Sequence, residues 1–201
     1  MHYTINQAKI DLENIDKCEP LVERMLKVAS ILTKVLDAEV TQMNDKPIIV
    51  GGLAMEIYTR SEYTTHDIDF VTTASIRLTE ILLELGFKKY TIFEYEPLNV
   101  AVQIMSEPLD PMRYEETQTI ELEDGSRIYC ISREGLLYNR ALDYESHDNK
   151  MYSIYLLTQD LDDIDTEQVI KDLEYQDIDA SNEFKNWVRI ARENREQLDI
   201  E

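Results

Sequence analysis

The 201 residues carry 41 acidic against 20 basic side chains, a net charge of −21, and 43% of positions are hydrophobic. So acidic a surface repels phosphate backbones over about 8 Å at physiological salt, which disfavours a nucleic-acid substrate unless a local basic patch or bound cation overrides the field. The same charge also serves solubility. The length supports one good core with a helical extension, an α/β core over residues 1–131 and a C-terminal helical region over 132–201 packed on it.

Met1 to Asn6 has no basic stretch followed by an apolar core, and no apolar run approaches the roughly 20 residues that cross a bilayer. A cytoplasmic protein without a membrane partner is the expectation. Over 20–36, Leu21, Val22, Met25, Leu26, Ala29, Leu32, Val35 and Leu36 recur at helical spacing, with Pro20 in the first turn. Pro47-Ile48-Ile49-Val50 is a short apolar run suited to a buried strand, stopped by Gly51-Gly52, and Leu53 to Tyr58 reads as a short helix. In His66-Asp67-Ile68-Asp69-Phe70-Val71 the period is two, so the carboxylates of Asp67 and Asp69 share one face of a strand.

From Ser75, as N-cap, Leu78, Ile81, Leu82 and Leu85 define a helix that ends at Gly86. Residues 99–105 alternate again, with Val100, Val102 and Ile104 on one side and Ala101, Gln103 and Met105 on the other. Asp124-Gly125 between 119–123 and 127–131 gives a hairpin signal, with the dipeptide preferred in type I′ turns. Beyond Ser132 the spacing of Leu136, Leu137, Ala141 and Leu142, then of 152–157, 169–173 and 184–191, is helical throughout. Cys18 and Cys130 lie far apart without metal-ligand spacing and read as reduced, structural thiols.

A strand ending in two glycines before a helix can turn backbone N–H groups toward a phosphate with no Cβ in the way, although it also serves as a plain tight turn. Neither a Gly-x-Gly-x-x-Gly run nor a Walker lysine follows Gly51-Gly52. Asp67 and Asp69 have the donor chemistry for a hard divalent ion, or else form the polar face of an edge strand.

Taken together, Val50-Gly51-Gly52, the short helix and Asp67-Ile68-Asp69-Phe70 resemble the signature of the nucleotidyltransferase superfamily. Ala54, Thr65, Leu85-Gly86-Phe87, and Ile131-Ser132-Arg133-Glu134 leading to Arg140 are similar to its small stand-alone branch, which includes uncharacterised proteins and toxins of the abortive-infection and toxin–antitoxin type. The likeness covers roughly residues 22 to 158. It implies an α/β (α+β) fold, a mixed sheet flanked by helices. It further implies nucleotide binding at Gly51, Gly52, Thr65, Arg133 and Arg140, and Mg²⁺ or Mn²⁺ held by Asp67 and Asp69. A nucleotidyl group would pass from a nucleoside triphosphate to an acceptor hydroxyl, and the acidic charge favours a protein or small-molecule acceptor over nucleic acid.

Two departures bear on that transfer. The 14-residue spacer between Gly52 and Asp67 is slightly longer than usual and is absorbed by the loop 59–65. Active members carry a third carboxylate on the strand after the intervening helix, alongside the paired aspartates as a catalytic position, and here that position is Gln103. An amide oxygen can ligate Mg²⁺ but takes no proton usefully at neutral pH. Glu107 could substitute if the strand continues, Glu94 or Glu96 if the pairing is shifted, and His66 could contact a phosphate or simply be solvated. The alternative is a degenerate relative that keeps the fold and acts as a regulatory or partner-binding module.

Overall fold

The computed structural model describes residues 3–60, 63–106, 109 and 111–198. The chain divides into two compact units, one of Met1–Ala54 with Thr64–Ile131, the other of Met55–Tyr63 with Ser132–Glu201. Together they make a mixed α/β protein, with a seven-stranded sheet and nine α-helices among the described residues.

The first unit opens with α1 (Ile5–Glu13), whose N-cap Thr4 accepts a hydrogen bond from the Gln7 N–H. Then comes α2 (Leu21–Asp37), where Met25, Val28, Leu32, Val35 and Leu36 are buried at the expected spacing. Pro20 stands one position earlier than expected: it is the N-cap, with extended ψ, and the helix begins behind it. Strand β1 (Ile48–Val50) is wholly buried and runs directly into α3 (Gly51–Tyr58). Strand β2 (Asp67–Val71) follows, with Ile68 and Phe70 fully buried and Asp67 and Asp69 half-buried, the alternation that its period of two demands. In α4 (Ser75–Glu84) the N-cap is Ala74 rather than Ser75, because Thr72 already caps the preceding turn by accepting from the Ala74 N–H at 3.0 Å. Gly86 ends that segment at φ +94°, a conformation open to a residue without a Cβ.

Two strands not read from the sequence come next, β3 (Lys88–Lys89) and β4 (Phe93–Tyr95), followed by β5 (Val100–Ile104). After the short α5 (Pro111–Glu115), β6 (Gln118–Glu121) and β7 (Arg127–Cys130) form the hairpin. Its turn differs from expectation. Of its residues only Gly125 has positive φ, the Gly125 N–H donates to the Leu122 carbonyl (2.9 Å), and the Leu122 N–H donates to that of Ser126 (2.7 Å). That is a three-residue loop closed by a glycine bulge; a type I′ turn would require positive φ at Asp124 as well.

The strand order is β3-β4-β5-β2-β1-β7-β6. The pair β1–β2 is antiparallel, β2–β5 and β1–β7 are parallel, and the outer strands add as antiparallel hairpins. Exposed lysines on β3 blunt one edge against pairing with another chain.

The second unit is helical: α6 (Arg133–Leu142), α7 (His147–Asp160), α8 (Thr166–Gln176) and α9 (Ile178–Leu198). Its core gathers Leu136, Leu137, Leu156, Leu157, Val169, Leu173, Phe184 and Trp187, all essentially inaccessible. Ser132, Ser146 and Asp165 cap three of its helices by accepting from Gly135, Asn149 and Gln168 N–H groups. No helix among the described residues is long and apolar enough to cross a membrane.

Candidate functional site

The site is assembled by register. Val50 pairs with Asp69 across the antiparallel β1–β2 ladder, which sets the turn after Val50 beside the Asp69 side chain. Gly51 adopts φ +62°, and a Cβ added there would overlap the Asp69 carboxylate, with even its carboxyl carbon only 3.2 Å away. Position 51 thus requires glycine twice over, for the left-handed backbone and for the carboxylate packed against it. Gly52 continues into the first turn of α3 and is buried. The N–H groups at the start of such a helix lack intrahelical acceptors and favour an anion.

On the other side of β2, the parallel ladder pairs Asp69 with Gln103 and Asp67 with Ala101. Directly paired residues project from the same face, so Asp67, Asp69 and Gln103 form one polar patch, with the small Ala101 beside Asp67, opposite an apolar layer of Ile68, Phe70 and Val102. Thr65, nearly buried before the strand, donates its hydroxyl to Asp67 Oδ1 at 3.2 Å. The Val50–Asp69–Gln103 row therefore runs across three adjacent strands in the order β1, β2, β5, and Gly51 follows at the end of β1.

Two same-face carboxylates, half-buried at i and i+2, offer hard oxygen donors and fit a divalent cation that keeps positions open for other oxygen ligands. Among the described residues there is no group of three or more His, Cys, Asp or Glu side chains disposed to hold a metal. Gln103 stands where a third acid would. Glu94 is paired with Ala101 across β4–β5, on the face of Asp67 but two strands away from it, and is exposed. Glu96 is engaged by Lys88 at 2.7 Å. His66 is exposed and lines, with Glu94 and Ala101, a shallow cavity of about 420 Å³. Glu107 lies outside the described residues.

Structure and sequence thus bring Gly51, Gly52, Thr65, Asp67, Asp69 and Gln103 together within the first unit. Arg133 and Arg140 belong to the second unit, and both are engaged there. Arg133 pairs with Asp160 at 2.8 Å, its guanidinium lying 4.7 Å from the centroid of the Tyr58 ring. Arg140 donates to Asn149 Oδ1 at 2.6 Å and lies over Tyr63 at 5.8 Å. Sequence reading passes over a cavity of about 760 Å³ that opens beside Gln103 at the C-terminal ends of β2 and β5. The hydroxyl-rich runs Thr72-Thr73-Ala74-Ser75 and Tyr90-Thr91 were the available signal.

No protein-family model matches the chain, and no curated protein matches it.

Proposed function

We propose that the chain is a divalent-metal-dependent nucleotidyltransferase, of the superfamily its glycine and aspartate motifs resemble, moving a nucleotidyl group from a nucleoside triphosphate to an acceptor hydroxyl. The single observation that carries the reading is the Asp69 carboxylate seated against the α-carbon of Gly51, with Asp67 on the same face. A cation-binding pair and a phosphate-accepting turn then adjoin one another. Asp67 and Asp69 would hold Mg²⁺ or Mn²⁺, which supplies charge neutralisation to the phosphates when bound.

The chain's own groups do the rest by positioning. Backbone N–H groups at Gly51 and Gly52 receive the terminal phosphates, and the Thr65 hydroxyl fixes the rotamer of Asp67. The acceptor oxygen forms a bond to the α-phosphorus, the bond from that phosphorus to the bridging oxygen breaks, and pyrophosphate departs. The hydroxyl's proton leaves to solvent, since the Gln103 amide has no useful basicity. Most of the acceleration of such a step comes from orientation and charge stabilisation, so it survives the missing base at reduced rate.

Titration calorimetry with Mg-ATP, and transfer of label from the four nucleoside triphosphates in cell extract, test the reading. Asp69→Asn should lower both Mg²⁺-dependent affinity and transfer by at least about 10²-fold, judged against the 10–100-fold lost on removing even indirect metal contacts. Equal labelling by this variant sinks the proposal.

Gln103 favours a second reading, in which the fold binds Mg-nucleotide without turning it over and serves a protein partner, as in toxin–antitoxin pairs. Nucleotide affinity without transfer to any fraction of the extract, together with a stoichiometric protein partner, would select it.

A further inference from the structure

We propose that the free edge of β6 is a docking surface for an extended, arginine- or lysine-rich segment of a partner protein, which adds to the sheet as a further strand. The inference does not rest on nucleotidyl transfer. Strand β6 ends the strand order, with β7 on one side and no strand on the other. Its hydrogen-bonding phase is fixed at the turn, where the Leu122 N–H donates to the Ser126 carbonyl at 2.7 Å. Bonded and non-bonded pairs alternate along an antiparallel ladder, so Ile120 and Gln118 turn their backbone groups to Ile128 and Cys130, while Thr119 and Glu121 turn theirs outward. Among the described residues nothing meets them there. Gln118, Thr119 and Glu121 are also exposed. Proteins ordinarily blunt such an edge, as the exposed lysines of β3 do at the far side of this sheet. Strand β6 reads Gln-Thr-Ile-Glu, with neither lysine nor proline, in unbroken register with β7.

Charge decides the occupant. At the end of β6 a cavity of about 630 Å³ sets Glu19, Glu23, Glu121, Glu123 and Asp124 against Lys27, and Lys27 is already paired with Glu19. The second oxygen of Glu19, Oε2, is buried without a hydrogen-bond partner. A residue paired with Glu121 across the new edge projects its side chain beside that carboxylate. Leu26 and Leu122 supply apolar surface for the stem of an arginine or lysine, whose charged head meets the acids. A second copy of the chain is the poorer occupant, because its own β6 brings Glu121 and Glu123 to the same carboxylates, between chains of net charge −21. Backbone hydrogen bonds thus hold the added strand, and the carboxylates select its side chains.

The test uses the full chain and a short blocked peptide alternating arginine with valine, read by fluorescence anisotropy. The peptide should bind, and of its two alternately N-methylated forms the one methylated on the edge-facing amides should bind about tenfold or more weakly, since it forfeits the interchain hydrogen bonds. Thr119→Pro removes an outward N–H without touching the ladder to β7, so it should keep the wild-type melting temperature and weaken the peptide to a similar degree. Glu121→Lys should weaken it as well, more at low salt than at high. No binding of the arginine peptide would overturn the proposal, as would undiminished binding of both N-methylated forms, because charge alone would then hold the peptide. A wild-type protein that sediments as a dimer, with Thr119→Pro a monomer, would also overturn it by giving the edge to a second copy. The N-methylated peptides leave the protein unaltered, so they decide the matter even if Thr119→Pro does not fold.

Discussion

Two carboxylates of the first unit are treated in opposite ways. Asp37, at the end of α2, is 11% exposed and surrounded by cation and hydroxyl: Lys46 Nζ at 2.5 Å, Arg127 at 2.9 Å and the Tyr129 hydroxyl at 2.9 Å. Burial, reinforced by the hydrogen bond to Asp37, pushes the Tyr129 phenol up to about 12, so it stays a donor at any physiological pH. Asp67, on β2, is half-buried and receives a threonine hydroxyl in place of a cation. The first arrangement neutralises its charge within the fold and joins α2 to β7. The second orients a carboxylate but leaves the charge for something else to balance, which is the expected condition of a ligand to a mobile cation.

The sharpest way to break this contrast is to remove each carboxylate in turn. Asp37→Ala strips the partner from Lys46, itself only 10% exposed at its side chain, and should cost about 3–5 kcal/mol, the usual penalty for stranding one member of a buried pair. Asp67→Asn should leave stability within about 0.5 kcal/mol of wild type, because the hydrogen bond it accepts from the Thr65 hydroxyl can be accepted equally by an amide oxygen. It should nevertheless lose Mg²⁺-dependent nucleotide affinity. Urea denaturation and calorimetry on both variants read the two quantities separately. A large stability loss in Asp67→Asn would make it a structural residue like Asp37.

The next largest effect concerns Gln103. Its pairing with Asp69 means that a carboxylate introduced there arrives on the same face with the same backbone. Gln103→Glu should raise the transfer rate by about 10²-fold, the lower end of what a general base contributes, and should make the rate fall as pH drops through the new carboxyl's titration. A rate unchanged across the pH range would mean that the acceptor hydroxyl does not approach from this strand.

The contrast between Asp37 and Asp67 also shows which parts of the molecule are legible in one dimension. Strand β2 declares itself because Asp67, Ile68, Asp69 and Phe70 alternate strictly, and the helices of the second unit because apolar residues such as Val169 and Leu173, or Phe184, Trp187, Val188 and Ala191, recur at three- and four-residue spacing. Strands β3 and β4 hold two and three residues, with lysine and glutamate among them, and owe their conformation to pairing with β5; no local pattern could reveal them. Helix α1 has no legible periodicity for a related reason, since of its nine residues only Ala8 and Leu12 are buried. The hairpin's dipeptide correctly marked a turn, but the choice between two- and three-residue loops is made by where the ladder closes, at Leu122 and Ser126. In the site, the residue types were legible and their juxtaposition was not. That Gly51 meets Asp69 depends on the pairing of Val50 with Asp69, which one residue of slippage would destroy. The role suggested for Arg133 and Arg140 came from resemblance alone, and composition gave no hint that Asp160 and Asn149 engage them.

The smallest expected effect lies in the second unit, where charge is again neutralised internally but nearer to water. Glu183 accepts from Lys150 Nζ at 2.6 Å and from Trp187 Nε1 at 3.0 Å, connecting α7 to α9 beside a tryptophan that is wholly buried. The Lys150 hydrogen bond is the main cause that holds its carboxyl below the ordinary value of 4.5, against an opposing contribution from burial. A carboxyl depressed in the folded state gives stability that is fully present above its unfolded value and is lost as pH falls through the folded one. Because both partners remain 28–38% exposed, water screens the pair and the contribution should be under about 1 kcal/mol. Glu183→Gln should therefore melt slightly below wild type at pH 7, and the gap should close as the pH drops below about 4. If the gap persisted at low pH, the packing of Glu183 on Trp187 would be its contribution rather than its charge, and the internal neutralisation inferred for this unit would not hold for Glu183.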